Sequence, residues 1–138
     1  MDKHVKAILY NPVKGRSTKV LLRYDGTGSL LKSIYSVMDV DMIEHVNIDV
    51  DLEAYVDEEG LLKETQVLSV VYTDGTGKIL RSLVGNVLFI NSDDEGNTVS
   101  LTEEQIKRIE ALELAPLVYE DGRSNYAIVL REGDSLVA

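Results

Sequence analysis

The chain has 138 residues, a net charge of −10, no Cys and no Trp. Its length suits one compact domain, the missing thiols exclude disulfides and thiolate metal sites, and the acidic balance argues against generic nucleic-acid binding, which depends on Lys and Arg meeting phosphates. The charge is uneven: residues 1–36 hold seven Lys and Arg against two Asp, so that stretch is +5 and the remainder −15.

From the N-terminus, Val5 to Tyr10 reads as a strand. Its apolar run is too short for a signal peptide and no later stretch reaches the roughly 20 residues of a membrane span, so a soluble, cytoplasmic protein is expected. Asn11-Pro12 and Lys14-Gly15 supply turn chemistry ahead of a hairpin partner, Thr18 to Tyr24. After Asp25-Gly26-Thr27-Gly28, the residues Leu30, Leu31, Ile34, Val37 and Met38 keep helical spacing and predict a first helix. From Asp39 to Asp57 the chain alternates with period two. Val46, Ile48, Val50, Leu52, Ala54 and Val56 fall at even positions and Asp49, Asp51, Glu53 and Asp57 at odd ones. The segment exceeds a typical strand, which predicts a break near Asn47 or one long bent strand, with Asp49, Asp51 and Glu53 on one sheet face.

Glu58-Glu59-Gly60 predicts a turn, and Leu61 to Gln66 is ambiguous. Val67 to Tyr72 and Val84 to Ile90 are continuous apolar runs, the pattern of strands buried on both faces. Thr102 followed by Gln105 is a capping box, Glu103 and Glu104 suit a helix N-terminus, and Ile106, Ile109, Leu112 and Leu114 form an apolar stripe up to Pro116; together they predict a second helix. Leu117 to Tyr119 and Asn125 to Leu130 read as a terminal hairpin. Strands and helices in this irregular order predict an α+β fold, a mostly antiparallel twisted sheet with two helices in a single domain spanning residues 1–138.

The stretch Asp25-Gly26-Thr27-Gly28-Ser29-Leu30-Leu31-Lys32-Ser33-Ile34 recurs as Asp74-Gly75-Thr76-Gly77-Lys78-Ile79-Leu80-Arg81-Ser82-Leu83. Recurrence of Asp-Gly turns accounts for it better than duplication, and neither copy has the spacing or the Lys-Ser/Thr of a phosphate-binding P-loop.

Four pieces in this order carry a resemblance: the strand from Lys6-Ala7-Ile8-Leu9, the helix after Asp25-Gly26-Thr27, Tyr55-Val56-Asp57-Glu58-Glu59-Gly60-Leu61-Leu62-Lys63, and Leu83-Val84-Gly85-Asn86-Val87-Leu88-Phe89-Ile90 before an acidic Gly turn. The pattern resembles the bacterial and phage family called domain of unknown function 3846 over residues 5–108, leaving 115–138 as a C-terminal hairpin extension. The family's abundance in phages and mobile elements implies an accessory protein acting against or alongside host systems, in the host cytoplasm. It supplies no site residues.

No catalytic set, metal site or cofactor motif emerges from the residues themselves. His4 and His45 lie far apart, and His45, though among carboxylates, has no nucleophile beside it and reads as a surface strand residue. Two binding surfaces compete. Lys14, Arg16, Ser17, Thr18 and Lys19 form a basic, hydroxyl-bearing hairpin tip suited to a phosphate, with Arg81 and Arg123 adding charge if the fold gathers them. The alternative is an acidic interaction face of Asp49, Asp51 and Glu53, acting as a DNA mimic or docking on a basic protein. On the plainer reading that face is neutralised across strands by Lys6, Lys19 and Arg23. The expected function is therefore non-enzymatic counter-defence by binding, with sequestration of a small phosphorylated or cyclic nucleotide first and protein docking second, in a homo-oligomer.

Overall fold

The computed structural model describes residues 4–59 and 67–132. Ten strands and two helices are present among them, in two open sheets, and the fold is α+β. The strands are β1 (His4–Asn11), β2 (Arg16–Arg23), β3 (Ile43–Asp49), β4 (Leu52–Asp57), β5 (Leu68–Thr73), β6 (Ile79–Val84), β7 (Val87–Ser92), β8 (Thr98–Val99), β9 (Leu114–Val118) and β10 (Ser124–Arg131), and the helices are α1 (Leu31–Met38) and α2 (Glu103–Glu110). The larger sheet has the order β2-β1-β7-β4-β3, with the short β8 paired to β7; the smaller has the order β6-β5-β10-β9. Every ladder is antiparallel except β10 on β5. Among the described residues no helix is long and apolar enough to cross a membrane.

Strand β7 explains how the layers assemble. Its apolar residues point alternately to two cores: Val87 and Phe89 enter the cluster between the sheets, and Leu88 and Ile90 enter the one under α1. All four are fully buried. The even positions of the alternating segment, Val46, Ile48, Leu52, Ala54 and Val56, face the first core together with Ile106 and Ile109 of α2. On the other face Ile43 and Tyr55 meet Leu30, Ile34 and Met38. Period-two patterning thus decides which side of the larger sheet receives α1 and which receives the smaller sheet.

Several expectations need correction. The break in the alternating segment falls at Val50–Asp51, where Asp51 takes a left-handed φ of 57°, while Asn47 marks only a bulge. Asp51 therefore leaves the strand face on which it was expected. The run from Val84 to Ile90 is two strands in different sheets, because Gly85, at φ 83°, turns the chain from β6 into β7. Helix α2 stops at Glu110, and Leu114 and Pro116 belong to edge strand β9, where a missing N–H is tolerated. The apolar stripe overran the helix because a strand's alternate residues continued it. The terminal hairpin is integral to the smaller sheet, Ile128 to Arg131 of β10 running parallel to Val70 to Thr73 of β5. The single sheet expected is two. Gly60, the ambiguous stretch from Leu61 to Gln66 and residues 133–138 lie outside the described residues.

The near-repeat is a shared turn. In Asp25–Ser29, Asp74–Lys78 and Asp93–Asn97 the first residue's N–H donates to the fifth residue's carbonyl, and the glycine's N–H donates back to the first carbonyl. Tyr119–Arg123 closes the same way. The glycines Gly28, Gly77, Gly96 and Gly122 have φ between 83° and 91°, as a type I turn with a following bulge requires. Beyond the turn the two copies diverge: the first enters α1, whereas the second enters β6, held extended by its pairing with β5.

Candidate functional site

The Asp25–Ser29 and Asp93–Asn97 turns border a concavity on the α1 side of the larger sheet. The Asp25–Ser29 turn and α1 form one wall of a cleft of about 500 Å³, with Tyr24, Leu30, Leu31 and Ile34. The Asp93–Asn97 turn and β8 form the opposite wall, with Asp93, Asn97 and Thr98, and Tyr55 of β4 also lines it. The phenol of Tyr55 and the Thr98 hydroxyl stand 2.9 Å apart, joining floor to wall.

Hydrogen bonds within the turns rigidify both walls. Asp25 Oδ1 accepts from the Thr27 hydroxyl at 2.6 Å and from the amides of Thr27 and Ser29 at 2.8 and 3.1 Å. These bonds, the hydroxyl's first, hold its carboxyl below the usual aspartate range, with a smaller contribution from nearby Lys32. Asp93 is held low in the same sense, by the Asn97 amide and side chain. Its acceptor capacity is thus largely used within the turn, and Asn97 Oδ1, the Tyr24 hydroxyl and the Tyr55–Thr98 pair remain for a ligand. The lining contains no cation.

Next to Tyr55 lies a row that superficially suggests a hydrolase. His45 Nε2 is 2.7 Å from Glu53 Oε1, and the Ser92 hydroxyl donates to the same oxygen at 3.0 Å. The imidazole also meets the Tyr55 ring edge-on, centroids 5.8 Å apart. Nucleophilic activation needs the imidazole between carboxylate and hydroxyl. Here the carboxylate is in the middle, so Ser92 donates to Glu53 and not to the imidazole, and the row ties β3, β4 and β7 together. Among the described residues no three His, Asp or Glu side chains converge as metal ligands.

The expected phosphate site is divided by the fold. Ser17, Thr18 and Lys19 line a cleft of about 380 Å³ with Ile8 and Glu110, and Lys19 joins Lys6, Leu21, Glu103 and Ile106 around an adjoining one of about 210 Å³. Lys14 and Arg16 line neither. Arg81 stacks on Tyr72, 3.9 Å from the ring centre, and pairs with Glu132 at 2.6 Å. Arg123 lies 4.7 Å over Tyr119 and pairs with Asp121 at 2.6 Å. Glu132 follows the last residue of β10 and Arg123 precedes its first. An eight-residue strand rises about 23 Å, so the two guanidiniums cannot share one phosphate.

The acidic row is also dispersed. Asp49 pairs with Arg108 of α2 at 2.8 Å, and the same guanidinium donates to the Val50 carbonyl. Glu53 meets His45 and Ser92, and Asp51 sits in the turn with its carbonyl accepting from Gln105 Nε2 at 3.3 Å. Lys6, Lys19 and Arg23 are not its neighbours, because β7 stands between their strands and Glu53 on β4, and both β7 and β4 stand between them and Asp49 on β3. The counter-charge of Asp49 comes instead from Arg108 of α2, a contact outside the reach of strand periodicity. The cleft between Tyr24 and Tyr55 was likewise missed; its one sequence signal was that a Gly turn follows both the tyrosine-ended strand, at Asp25-Gly26, and the buried apolar strand, at Asp93-Asp94-Glu95-Gly96.

A family model described as a domain of unknown function, DUF3846, matches residues 5–113 of the chain. That span ends just before β9, so it leaves out the hairpin that completes the smaller sheet. Neither a curated protein nor a solved structure matches.

Proposed function

The chain belongs to the DUF3846 family, and on that premise we propose that it is a non-enzymatic accessory protein of phages or mobile elements that acts against a host system by capturing a small nucleotide signal. The observation that carries this reading is the cleft between the Asp25 and Asp93 turns, whose volume of about 500 Å³ falls within the range of small-molecule sites. Its Tyr24 and Leu31 walls suit the face of a nucleobase, and Asn97 and Thr98 offer hydrogen bonds to a base edge or sugar. The ligand's phosphate lies outside the lining, whose one charged side chain is the carboxylate of Asp93, and toward Lys32, which adjoins Leu31 on α1. The basic hairpin tip carries less of this reading, since Arg81 and Arg123 are engaged elsewhere.

Calorimetry against cyclic nucleotides, ADP-ribose and the parent nucleosides tests it. Binding is expected for at least one phosphorylated member. Tyr24→Ala should weaken it by about 1–3 kcal/mol, the worth of one base stacked on an aromatic ring. Lys32→Ala should weaken the nucleotide but not its nucleoside. Absence of heat from every member ends the proposal.

A further inference from the structure

On another part of the molecule, β2 is an open edge of the larger sheet. Arg23 donates its N–H away from β1, to Ser33 Oγ on α1 at 3.0 Å. Alternation along an antiparallel strand then turns the backbone N–H and C=O of Leu21, Lys19 and Ser17 toward the same edge. The side of β1 facing β7 confirms the parity: Lys6, opposite Leu21, gives its N–H to Ser100 Oγ and its carbonyl to the Leu101 N–H, both away from β2. Three consecutive outward backbone pairs therefore stand beyond the one residue that α1 caps.

The side chains of these three residues sit on the sheet face covered by α2. Lys19 and Leu21 line the cleft of about 210 Å³ floored by Ala7 and Ile106, and Ser17 and Lys19 line the cleft of about 380 Å³ over Ile8. Leu21 is an exposed leucine, 53 % accessible, beside that apolar floor. The strand is also the most basic in the chain: Arg16, Lys19 and Arg23 without a carboxylate, and none of the three is in an ion pair among the described residues. In a chain of net charge −10, this basic strand attracts an acidic segment and repels another copy of itself, while Glu103 and Glu110 of α2 line the far side of the two clefts.

We propose that the outer edge of β2, with the groove beneath α2, is a docking site for an extended acidic segment of a partner protein, added to the larger sheet as a further strand. Main-chain bonds to Ser17, Lys19 and Leu21 hold it, and alternate side chains give specificity: a carboxylate opposite Lys19 and an apolar group opposite Leu21, entering the smaller cleft.

The test uses the full chain, isotopically labelled, titrated to about 1 mM with the blocked heptapeptide Thr-Glu-Thr-Val-Thr-Glu-Thr, which sets glutamate and valine two residues apart on one face, and followed by amide resonances and hydrogen exchange. Expected are shifts centred on Ser17, Lys19 and Leu21 and exchange at those amides slowed about tenfold, with the effect reduced in about 0.5 M salt. Lys19→Glu should abolish it and Lys19→Arg should keep it. The valine–lysine counterpart, and the acidic peptide with proline at its centre, should give nothing. The proposal is overturned by no response, by an equal response to the lysine peptide, by shifts centred elsewhere, or by self-association of the unliganded protein through this edge.

Discussion

The hydroxyl of Tyr10, in the middle of the larger sheet, donates to the main-chain carbonyl of Tyr126 in the smaller one at 2.5 Å. Tyr72 makes the reciprocal link, its hydroxyl donating to the Ile48 carbonyl at 2.8 Å. Two phenols from opposite layers thus stitch the sheets around one core. Burial pushes the Tyr10 hydroxyl up to about 12 and raises that of Tyr72 as well. Tyr10→Phe keeps the ring and leaves the Tyr126 carbonyl without this donor. Urea unfolding should show a loss of about 1–2 kcal/mol.

The burial of the Tyr10 hydroxyl predicts an alkaline limit. With the folded value raised above the ordinary 10, neutral Tyr10 contributes its full stability below pH 10 and loses it as pH rises toward about 12. Thermal unfolding followed across that window should fall more steeply in the wild type than in Tyr10→Phe. Equal slopes would mean that this phenol is not the sensitive group.

Gly15 at the hairpin tip has φ 62°, and a Cβ added there would come within 2.7–2.9 Å of three Tyr126 atoms. Its N–H also closes the loop onto the Asn11 carbonyl at 2.9 Å. Gly15→Ala combines left-handed strain with a clash against a ring, for an expected loss of about 2–3 kcal/mol. Gly75→Ala adds a methyl in open space at an ordinary φ and should be within about 0.5 kcal/mol of wild type. Comparing the two midpoints separates the close approach from the loss of glycine as such.

What was legible in the sequence follows the range of the forces involved. The capping box, the Asp-Gly turns and period-two alternation are local, and α2's start, four turns and the core face of β3 and β4 could be read from residues a few places apart. The second copy of the near-repeat was not legible, because β6 is extended only by its pairing with β5. Likewise Asp49 finds Arg108, 59 residues away, rather than a lysine on a neighbouring strand. The candidate cleft is the same case: Tyr24 and Thr98 share it only because β7 inserts between β1 and β4 and pairs with β8.

The capping box of α2 is fully formed, with the Thr102 hydroxyl accepting from the Gln105 N–H at 3.1 Å and Gln105 Oε1 accepting from the Thr102 N–H at 2.9 Å. Gln105 does more than cap, since its Nε2 also reaches Asn91 Oδ1 at 3.1 Å and the Asp51 carbonyl. Thr102→Ala should cost about 1 kcal/mol by loss of the cap alone. Gln105→Ala should cost more, because it also detaches α2 from β7 and the β3–β4 turn. If the two losses are equal in chemical denaturation, the tertiary bonds of Gln105 contribute nothing.

Four turn aspartates predict the acid limb. Asp25 and Asp74 are held low chiefly by the hydroxyls of Thr27 and Thr76, Asp93 by the Asn97 amide, and Asp121 by the Arg123 side chain. In each case the folded value lies below the unfolded one, so the stabilisation is complete above the ordinary aspartate value of about 3.9 and is lost as pH falls through the folded values. Asp74→Asn keeps an acceptor for the turn amides but removes the titration. From about pH 5 down to pH 2 its melting temperature should decline less steeply than that of the wild type, although it starts lower. The double variant Asp25→Asn/Asp74→Asn should be flatter still, because the two turns lie in different sheets and their contributions add. A decline as steep as that of the wild type would place the acid-sensitive groups outside these turns.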